Sequence, residues 1–133
     1  MTAATQLVTG VDFIAVPTQD FDAASKFYGE VLGLERSKQW GDFPAREFET
    51  DNLTIAVMQM DAFDQEFGKH TAPIAFQVDD CKAAQAELES RGVEFEGFLD
   101  SGVCFMAYFS DPDGNALMLH QRYAPKGEEP GGE

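Results

Sequence analysis

The chain is poor in positive charge. Nine lysines and arginines stand against 24 aspartates and glutamates in 133 residues, which gives a formal net charge of −15. Nucleic-acid binding needs cations that replace the counterions around phosphate, and an anionic membrane surface attracts basic segments. We therefore expect no nucleic acid and no membrane as a partner. The simple interpretation of the acidity is that it keeps the protein soluble.

Extended apolar stretches and cysteine motifs are also missing. No apolar stretch approaches the roughly 20 residues that span a bilayer. The N-terminus has no basic region followed by a long apolar run, so no signal peptide is expected. Cys81 and Cys104 form no useful metal or redox motif, and free thiols in a reducing cytoplasm are the simple interpretation. We expect a cytoplasmic protein.

Common catalytic motifs are absent from the sequence. It contains no G-x-S-x-G nucleophile elbow, no Walker loop and no Rossmann glycine motif. The two histidines, His70 and His120, stand at no recognised spacing from a cysteine nucleophile. Hydrophobic residues make up 44% of the chain, however, and a chain of this length is sufficient for one core. We expect a single folded domain.

The most informative feature of the chain is an internal repeat. Residues 11–35 and 73–95 each run from an apolar strand through an acidic cap and an amphipathic helix to a glycine and a new strand. An internal repeat of this kind fixes the architecture of the chain. Two copies of a βα unit with trailing strands predict two halves of one small domain, with a cleft between their sheets.

Periodicity predicts eight strands and two helices. Alternation and turn signals place the strands at 11–17, 34–40, 45–50, 54–60, 74–78, 93–99, 103–109 and 116–121. Helical spacing places the helices at about 22–32 and 80–91, each with an aspartate cap and a glycine stop. Pro17 is expected to end the first strand.

These elements define one domain with two modules. The domain is expected to span 11–122, with modules at about 11–62 and 73–122. Residues 1–10 show no periodicity and are expected to be a loose arm. The tail at 123–133 is dominated by proline, glycine and glutamate with little to bury, so we expect it to be disordered.

Four segments resemble the vicinal-oxygen-chelate superfamily, which includes glyoxalase I, extradiol dioxygenases, bleomycin-resistance proteins and fosfomycin-resistance thiol transferases. The segments are FIAV, KFYGEVLGLE, IAFQVDD and YFSDPDGNALML, and together they cover about residues 11–121. The resemblance implies an α+β fold in which two tandem βαβββ modules form a curved mixed sheet around a cleft. It says little about the reaction, because one fold hosts many functions.

Many members of that superfamily hold a divalent metal with histidine and glutamate. The resemblance places the ligand positions at Val11, Pro73 and Met118, and none of these side chains is a suitable ligand for a hard cation. We therefore expect no metal at the usual site and no other cofactor. If a metal binds, relocated ligands would be His120 with Glu47 or Glu49.

Tyr108 and His120 match the fosfomycin-resistance-like pattern. Tyr108 stands three residues before Asp111, where that pattern has a cavity tyrosine, and His120 shares a strand face with Met118. These two would be the catalytic residues if the chain is an enzyme. The alternatives are a core aromatic with its hydroxyl at the surface for Tyr108 and a solvent-exposed strand end for His120.

Strand alternation predicts which side chains line the cleft. The predicted ligand-binding set is apolar and sulfur-rich with a few polar groups: Phe13, Met58, Gln77, Met106, Tyr108, Met118 and His120. Such a lining suits a flat or aromatic small organic ligand. It is equally what a cleft filled by the protein's own side chains would show.

Three functions remain open at this point. The favoured one is a metal-free protein that binds or sequesters a largely apolar small molecule. The second is an enzyme of the same superfamily, such as a lyase, isomerase, thiol transferase or dioxygenase. The third is an interaction protein that only dimerises. A homodimer is expected in any case, because the resemblance implies one, short sheets leave edges that need cover, and twofold dimers are common.

Overall fold

A computed structural model describes residues 6–125 of the chain. Residues 1–5 of the predicted arm and 126–133 of the predicted tail lie outside the described part. The strands are β1 Phe13–Thr18, β2 Glu35–Gln39, β3 Ala45–Glu49, β4 Thr54–Gln59, β5 Ile74–Gln77, β6 Gly97–Asp100, β7 Cys104–Ser110 and β8 Ala116–Arg122. The helices are α1 Phe21–Lys26 and α2 Cys81–Ser90, with a π-helical segment at Phe27–Val31 and a 3-10 turn at Met60–Phe63.

The strands form two four-stranded mixed sheets with the same topology. The order is β1-β4-β3-β2 in the first sheet and β5-β8-β7-β6 in the second. In each sheet the first and last strands of the module pair in parallel, and the other pairs are antiparallel. A helix follows the first strand of each module, as a parallel pair requires a crossover connection. The predicted α+β fold of two βαβββ modules is confirmed.

Aspartate caps begin both helices. The side chains of Asp20 and Asp80 each accept a hydrogen bond from a backbone N–H three residues later, at 3.1 and 3.0 Å. The first helix differs from the prediction of one α-helix over 22–32, because it changes to a π-helix after Lys26. The wider π turn accompanies the burial of two adjacent aromatic residues, Phe27 and Tyr28.

Two strand predictions were wrong. Pro17 does not end β1 but pairs with Met58 inside it, which is tolerated because β1 is an edge strand of its sheet. The strand predicted at 93–99 is shorter and spans only Gly97–Asp100. The first residue predicted for this strand, Val93, closes the end of α2 instead, because its backbone N–H donates to the carbonyl of Leu88.

One core joins the two modules. On each sheet, alternate side chains point toward the helices and are buried. The largest buried side chains of this core are Tyr28, Phe48, Ile55, Phe109 and Leu117, drawn from both halves of the chain. No helix within residues 6–125 is long and apolar enough to cross a membrane.

A buried carboxylate connects the modules. Asp111, in the turn between β7 and β8, is 6% exposed. Its Oδ2 accepts hydrogen bonds from the Tyr28 hydroxyl at 2.6 Å and the Asn115 amide at 2.8 Å. Its Oδ1 accepts from the backbone N–H groups of Asp113 and Asn115, both at 2.9 Å. Burial and the nearby Asp111 charge raise the pKa of Tyr28 far above its usual range, so the phenol stays a donor.

The same turn reaches the end of β1. Asp113 accepts from the Thr18 hydroxyl at 2.5 Å and from the Gln19 backbone N–H at 2.9 Å. The Asn115 amide also donates to the Pro17 carbonyl at 2.9 Å. We call Tyr28, Asp111, Asp113 and Asn115 the intermodule joint. It holds the first strand of one sheet against the last hairpin of the other.

Replacing Tyr28 by phenylalanine tests the intermodule joint. The change keeps the buried ring but removes one donor from a buried carboxylate, so the free energy of unfolding should fall by about 1–3 kcal/mol. Urea denaturation measures it. Tyr123→Phe is the matched control, since that hydroxyl donates to the exposed Asp100, and it should be within about 0.5 kcal/mol of neutral. Equal effects of the two substitutions would contradict the role of the joint.

Candidate functional site

Both sheets have a face that the helices do not cover. Side chains that alternate with the core residues point to this side, which we call the open face of each sheet. On the second sheet the open face carries Gln77, Met106, Tyr108, Met118 and His120, all of them at least partly exposed. Because the core is on the opposite side, the open faces are the surfaces on which a ligand has room.

The second open face brings five predicted residues together. Tyr108 of β7 lies directly opposite Met118 of β8. In the next row, Met106 lies opposite His120, which in turn pairs with Gln77 of β5. Tyr108 and His120 are therefore diagonal neighbours, roughly 7–8 Å apart. Long side chains can reach across such a backbone spacing, but no hydrogen bond joins the side chains of Tyr108 and His120 in the described part of the chain, so both remain available to contact one small molecule.

The polar groups of this face are little used by the protein itself. Among the residues that the structure describes, the only hydrogen-bond partner of the Tyr108 hydroxyl is the Met106 sulfur, at 3.6 Å, and this bond is weak. Within residues 6–125, the side chains of Gln77 and His120 make no hydrogen bond. These three groups are free to orient a ligand.

A pocket of about 370 Å³ lies at one end of this face. Its lining comprises Thr71, Pro73, Glu96, Gly97, Tyr108, Phe109, Ala116 and Leu117. The volume lies in the range of small-molecule sites, roughly 300–1,000 Å³. Tyr108 is the predicted site residue that reaches this pocket, whereas Met118 and His120 lie further along the same face.

Phe13 and Met58 lie on the open face of the first sheet, not the second. Phe13 is 41% exposed and packs edge-on against Trp40, with ring centroids 5.5 Å apart. The sequence reasoning missed Trp40, although the only tryptophan of the chain was a usable signal. That Phe13 and the residues of the second open face line one cavity stays a prediction.

Two carboxylates on the first open face are held by neutral donors. The Trp40 indole donates to Glu47 at 2.7 Å. The hydroxyls of Ser37 and Thr54 each donate to Glu49 at 2.6 Å. These two hydrogen bonds, that of Ser37 first, hold the pKa of Glu49 below its usual range. Glu47 and Glu49 are thus held in place by hydrogen bonds on this face.

The positions of the family's metal ligands do not fit a metal. Val11 is 65% exposed and precedes β1, Pro73 precedes β5, and Met118 lies within β8. None of the three offers a nitrogen or a hard oxygen from its side chain. In the described part of the chain, no three His, Cys, Asp or Glu residues form a group that could hold a metal ion.

The two cysteines are both free and buried. Burial, and to a smaller extent the nearby Asp80, raises the pKa of the Cys81 thiol. A buried thiol with a raised pKa is a poor nucleophile. Cys104 lies on the same face of β7 as Met106 and Tyr108, but it is only 7% exposed.

Solved structures share this fold. The chain superposes on a lactoylglutathione lyase from Agrobacterium tumefaciens with a TM-score of 0.75 and 18% identity, covering 87% of this chain and 96% of that one. It superposes on TnmS3, an antibiotic binding protein from Streptomyces sp. CB03234, with a TM-score of 0.74 and 24% identity, covering 89% and 99%. At these identities the likeness shows the fold alone.

Sequence comparison identifies the family. No curated protein matches the chain in sequence. Residues 10–119, most of the chain and nearly all of both modules, match the family described as the Glyoxalase/Bleomycin resistance protein/Dioxygenase superfamily. This agrees with the vicinal-oxygen-chelate resemblance of the four sequence segments. The chain therefore belongs to the glyoxalase/bleomycin resistance protein/dioxygenase superfamily.

Proposed function

We propose that the protein is a metal-free binding protein that holds a largely apolar, planar small molecule against its second open face. The observation that carries the proposal is the make-up of that face. Met106 and Met118 offer adaptable apolar contact. Beside them lie the side chains of Gln77 and His120, which make no hydrogen bond within residues 6–125, and the Tyr108 hydroxyl, which makes only a weak one to sulfur. Binding sites for small molecules combine apolar lining with a few such polar groups.

Two further observations support binding rather than metal-dependent catalysis. The family's ligand positions at Val11, Pro73 and Met118 carry no suitable donors, so the proposal includes no metal and no other cofactor. TnmS3, which has the same fold, is described as an antibiotic binding protein. A protein of this architecture is therefore suited to sequester an organic ligand.

A metal-free enzyme is the second candidate. Its support is the diagonal arrangement of Tyr108 and His120 across β7 and β8. A phenol and an imidazole on either side of one ligand are a suitable pair for general acid–base chemistry. The proposed reaction class is a proton transfer or an addition in the same cleft.

The proposal extends to a homodimer. In the single chain the open faces leave apolar side chains exposed, with Phe13 at 41% and Leu99 at 49%. A twofold axis is the commonest way for one chain to cover such a surface with a second copy. In the proposed dimer, the first open face of one copy and the second open face of the other form the two walls of a cleft, which would bring Phe13 and Met58 to the same ligand.

Met118→Glu tests the binding face, with neutral acridine as the apolar planar probe. A carboxylate placed against an apolar ligand is desolvated without a partner, so acridine affinity should fall about tenfold or more. Met118→Gln, which keeps a similar shape without the charge, should cost less. Titration calorimetry measures both. Failure of acridine to bind the wild-type protein, or unchanged affinity and stability in Met118→Glu, would refute the proposal.

Light scattering at micromolar concentration tests the dimer. The expected mass is twice the 14.6 kDa of one chain. The measurement should span ionic strengths, because the net charge of −15 opposes association at low salt. A mass of 14.6 kDa at every salt concentration would contradict the dimer and leave the binding proposal to stand on a single chain.

A further inference from the structure

A groove of about 660 Å³ lies on the helix side of the first sheet, away from both open faces. One wall is formed by α1 with the π-helical segment, and the other by β2, β3 and the turn between them. We call it the helix-side groove, and the argument concerns six of its lining residues: Phe21, Ser25, Lys26, Arg36, Gln39 and Arg46. Its placement outside the proposed binding face makes it a separate feature of the molecule.

An irregularity in β2 directs two side chains into this groove. Arg36 lies opposite Phe48, whose side chain is in the core, so Arg36 is on the helix side of the sheet. In a regular strand Gln39 would then point to the other face. The register shift between Arg36 and Gln39 places Gln39 opposite Arg46, on the same side. Arg46 donates from its guanidinium to the Gln39 side-chain carbonyl at 2.9 Å. The edge of the sheet thus presents two guanidinium groups to the groove.

Gly29 gives Arg36 its place in the groove. A Cβ atom at position 29 would lie 2.6 Å from Nε of Arg36, so the guanidinium rests directly against the backbone of the π-helical segment. Its carboxylate partner is Glu30 at 3.5 Å, and both side chains are about half exposed. An ion pair with that exposure is weak. Arg36 is therefore positioned by packing, and its charge is available to an incoming anion.

Positive charge is concentrated in this groove. Three of the nine lysines and arginines line it, although acidic residues greatly outnumber basic ones in the chain. Within residues 6–125, Lys26 and Arg46 form no ion pair. The carboxylates of Asp22 and Asp42 also border the groove, but both are exposed to water. Two of the three cations thus have no carboxylate partner, which is the arrangement expected of a site for an external anion.

The hydroxyl of Ser25 lacks a partner as well. Ser25 lines the groove from α1, and its Oγ is buried without a hydrogen bond in the described part of the chain. Buried polar groups are nearly always hydrogen-bonded, and an exception requires a physical explanation. An oxygen atom of a ligand in the groove would provide the missing acceptor.

The second module fills the equivalent position with aromatic rings. Between α2 and the edge strand β6, the rings of Phe98 and Phe105 have centroids 5.6 Å apart, and the Lys82 ammonium lies 5.9 and 5.3 Å from them. Tyr123 packs on Phe105 with centroids 4.7 Å apart. Because both modules have the same topology, the charged groove of the first module is a property of its sequence and not a consequence of the fold.

We infer that the helix-side groove is a second binding site, which takes a small organic anion with a carboxylate or phosphate group. The guanidinium groups of Arg36 and Arg46 bind the anionic group, because the planar fork of arginine matches the oxygens of both. The Ser25 hydroxyl donates to one of these oxygens. Phe21 and Pro44, which also line the groove, contact the remainder of the ligand.

NMR titration of ¹⁵N-labelled protein with benzoate, phenyl phosphate and benzamide tests the inference. Benzamide is the neutral control, because it has nearly the shape of benzoate. The amide signals of Ser25, Gly29 and Arg46 should shift with at least one of the two anions and stay in place with benzamide. The anion with the higher affinity identifies carboxylate or phosphate as the preferred group.

Two substitutions test the residues that hold the anion. Arg46→Gln removes a charge-assisted hydrogen bond and should lower the affinity for the preferred anion about tenfold or more. Gly29→Ala keeps every charge but introduces a methyl group where the Arg36 guanidinium lies, so it should lower the affinity about threefold or more. Alanine is a better helix former than glycine, and the thermal midpoint of Gly29→Ala should therefore not fall.

Lys38→Gln is the matched control, because it removes a positive charge from β2 at a position that does not line the groove. It should leave anion affinity unchanged, and all three variants should bind acridine like the wild-type protein. Absence of anion-induced shifts, equal shifts with benzamide, or unchanged affinity in Arg46→Gln or Gly29→Ala would overturn the inference. An effect of Lys38→Gln as large as that of Arg46→Gln would also overturn it, since net charge alone would then explain the binding. None of these results touches the proposed function, which depends on acridine binding at the second open face.

Discussion

The burial of the Asp111 carboxylate is the constraint on which the arrangement of the two modules depends. A buried charge is costly unless hydrogen bonds satisfy it, and Asp111 is satisfied by four donors. One of these, the Tyr28 hydroxyl, belongs to the other module. Because the carboxylate needs that donor, the turn between β7 and β8 has to dock where β1 meets the first helix. The two sheets consequently share one core.

This docking leaves one side of each sheet open. Each sheet places alternate side chains on its two faces. The face that carries Phe48 in the first sheet and the face that carries Phe109 in the second both pack into the shared core. The opposite faces are less apolar, with Tyr108 and His120 on one and Glu47 and Glu49 on the other. Burying such polar groups in a core would cost free energy unless each found a hydrogen-bond partner. The division of each sheet into a core face and an open face thus links the stability of the fold to its capacity to bind a ligand.

The sequence predicted the repeated topology well, because its signals are local. Asp20 and Asp80 cap helices by bonding to an N–H three residues away, and strand alternation placed Tyr108 and Met118 on one face. The intermodule joint was not predicted, because Tyr28 and Asp111 are 83 positions apart and no pattern in either segment indicates that the two side chains form a hydrogen bond. The hydrogen bond from Trp40 to Glu47 escaped for a related reason, since it depends on how the chain turns between β2 and β3.

The central claim is that the second open face binds a planar molecule, and methyl NMR of the methionines during an acridine titration tests it most directly. Ring currents from a bound acridine shift nearby methyl signals strongly. The account predicts large shifts for Met106 and Met118, with Met58 moving as well if the first open face forms the other wall of the cleft. Met60, which begins the 3-10 turn after β4, should keep its position. Unmoved signals of Met106 and Met118 at saturating acridine would contradict the account.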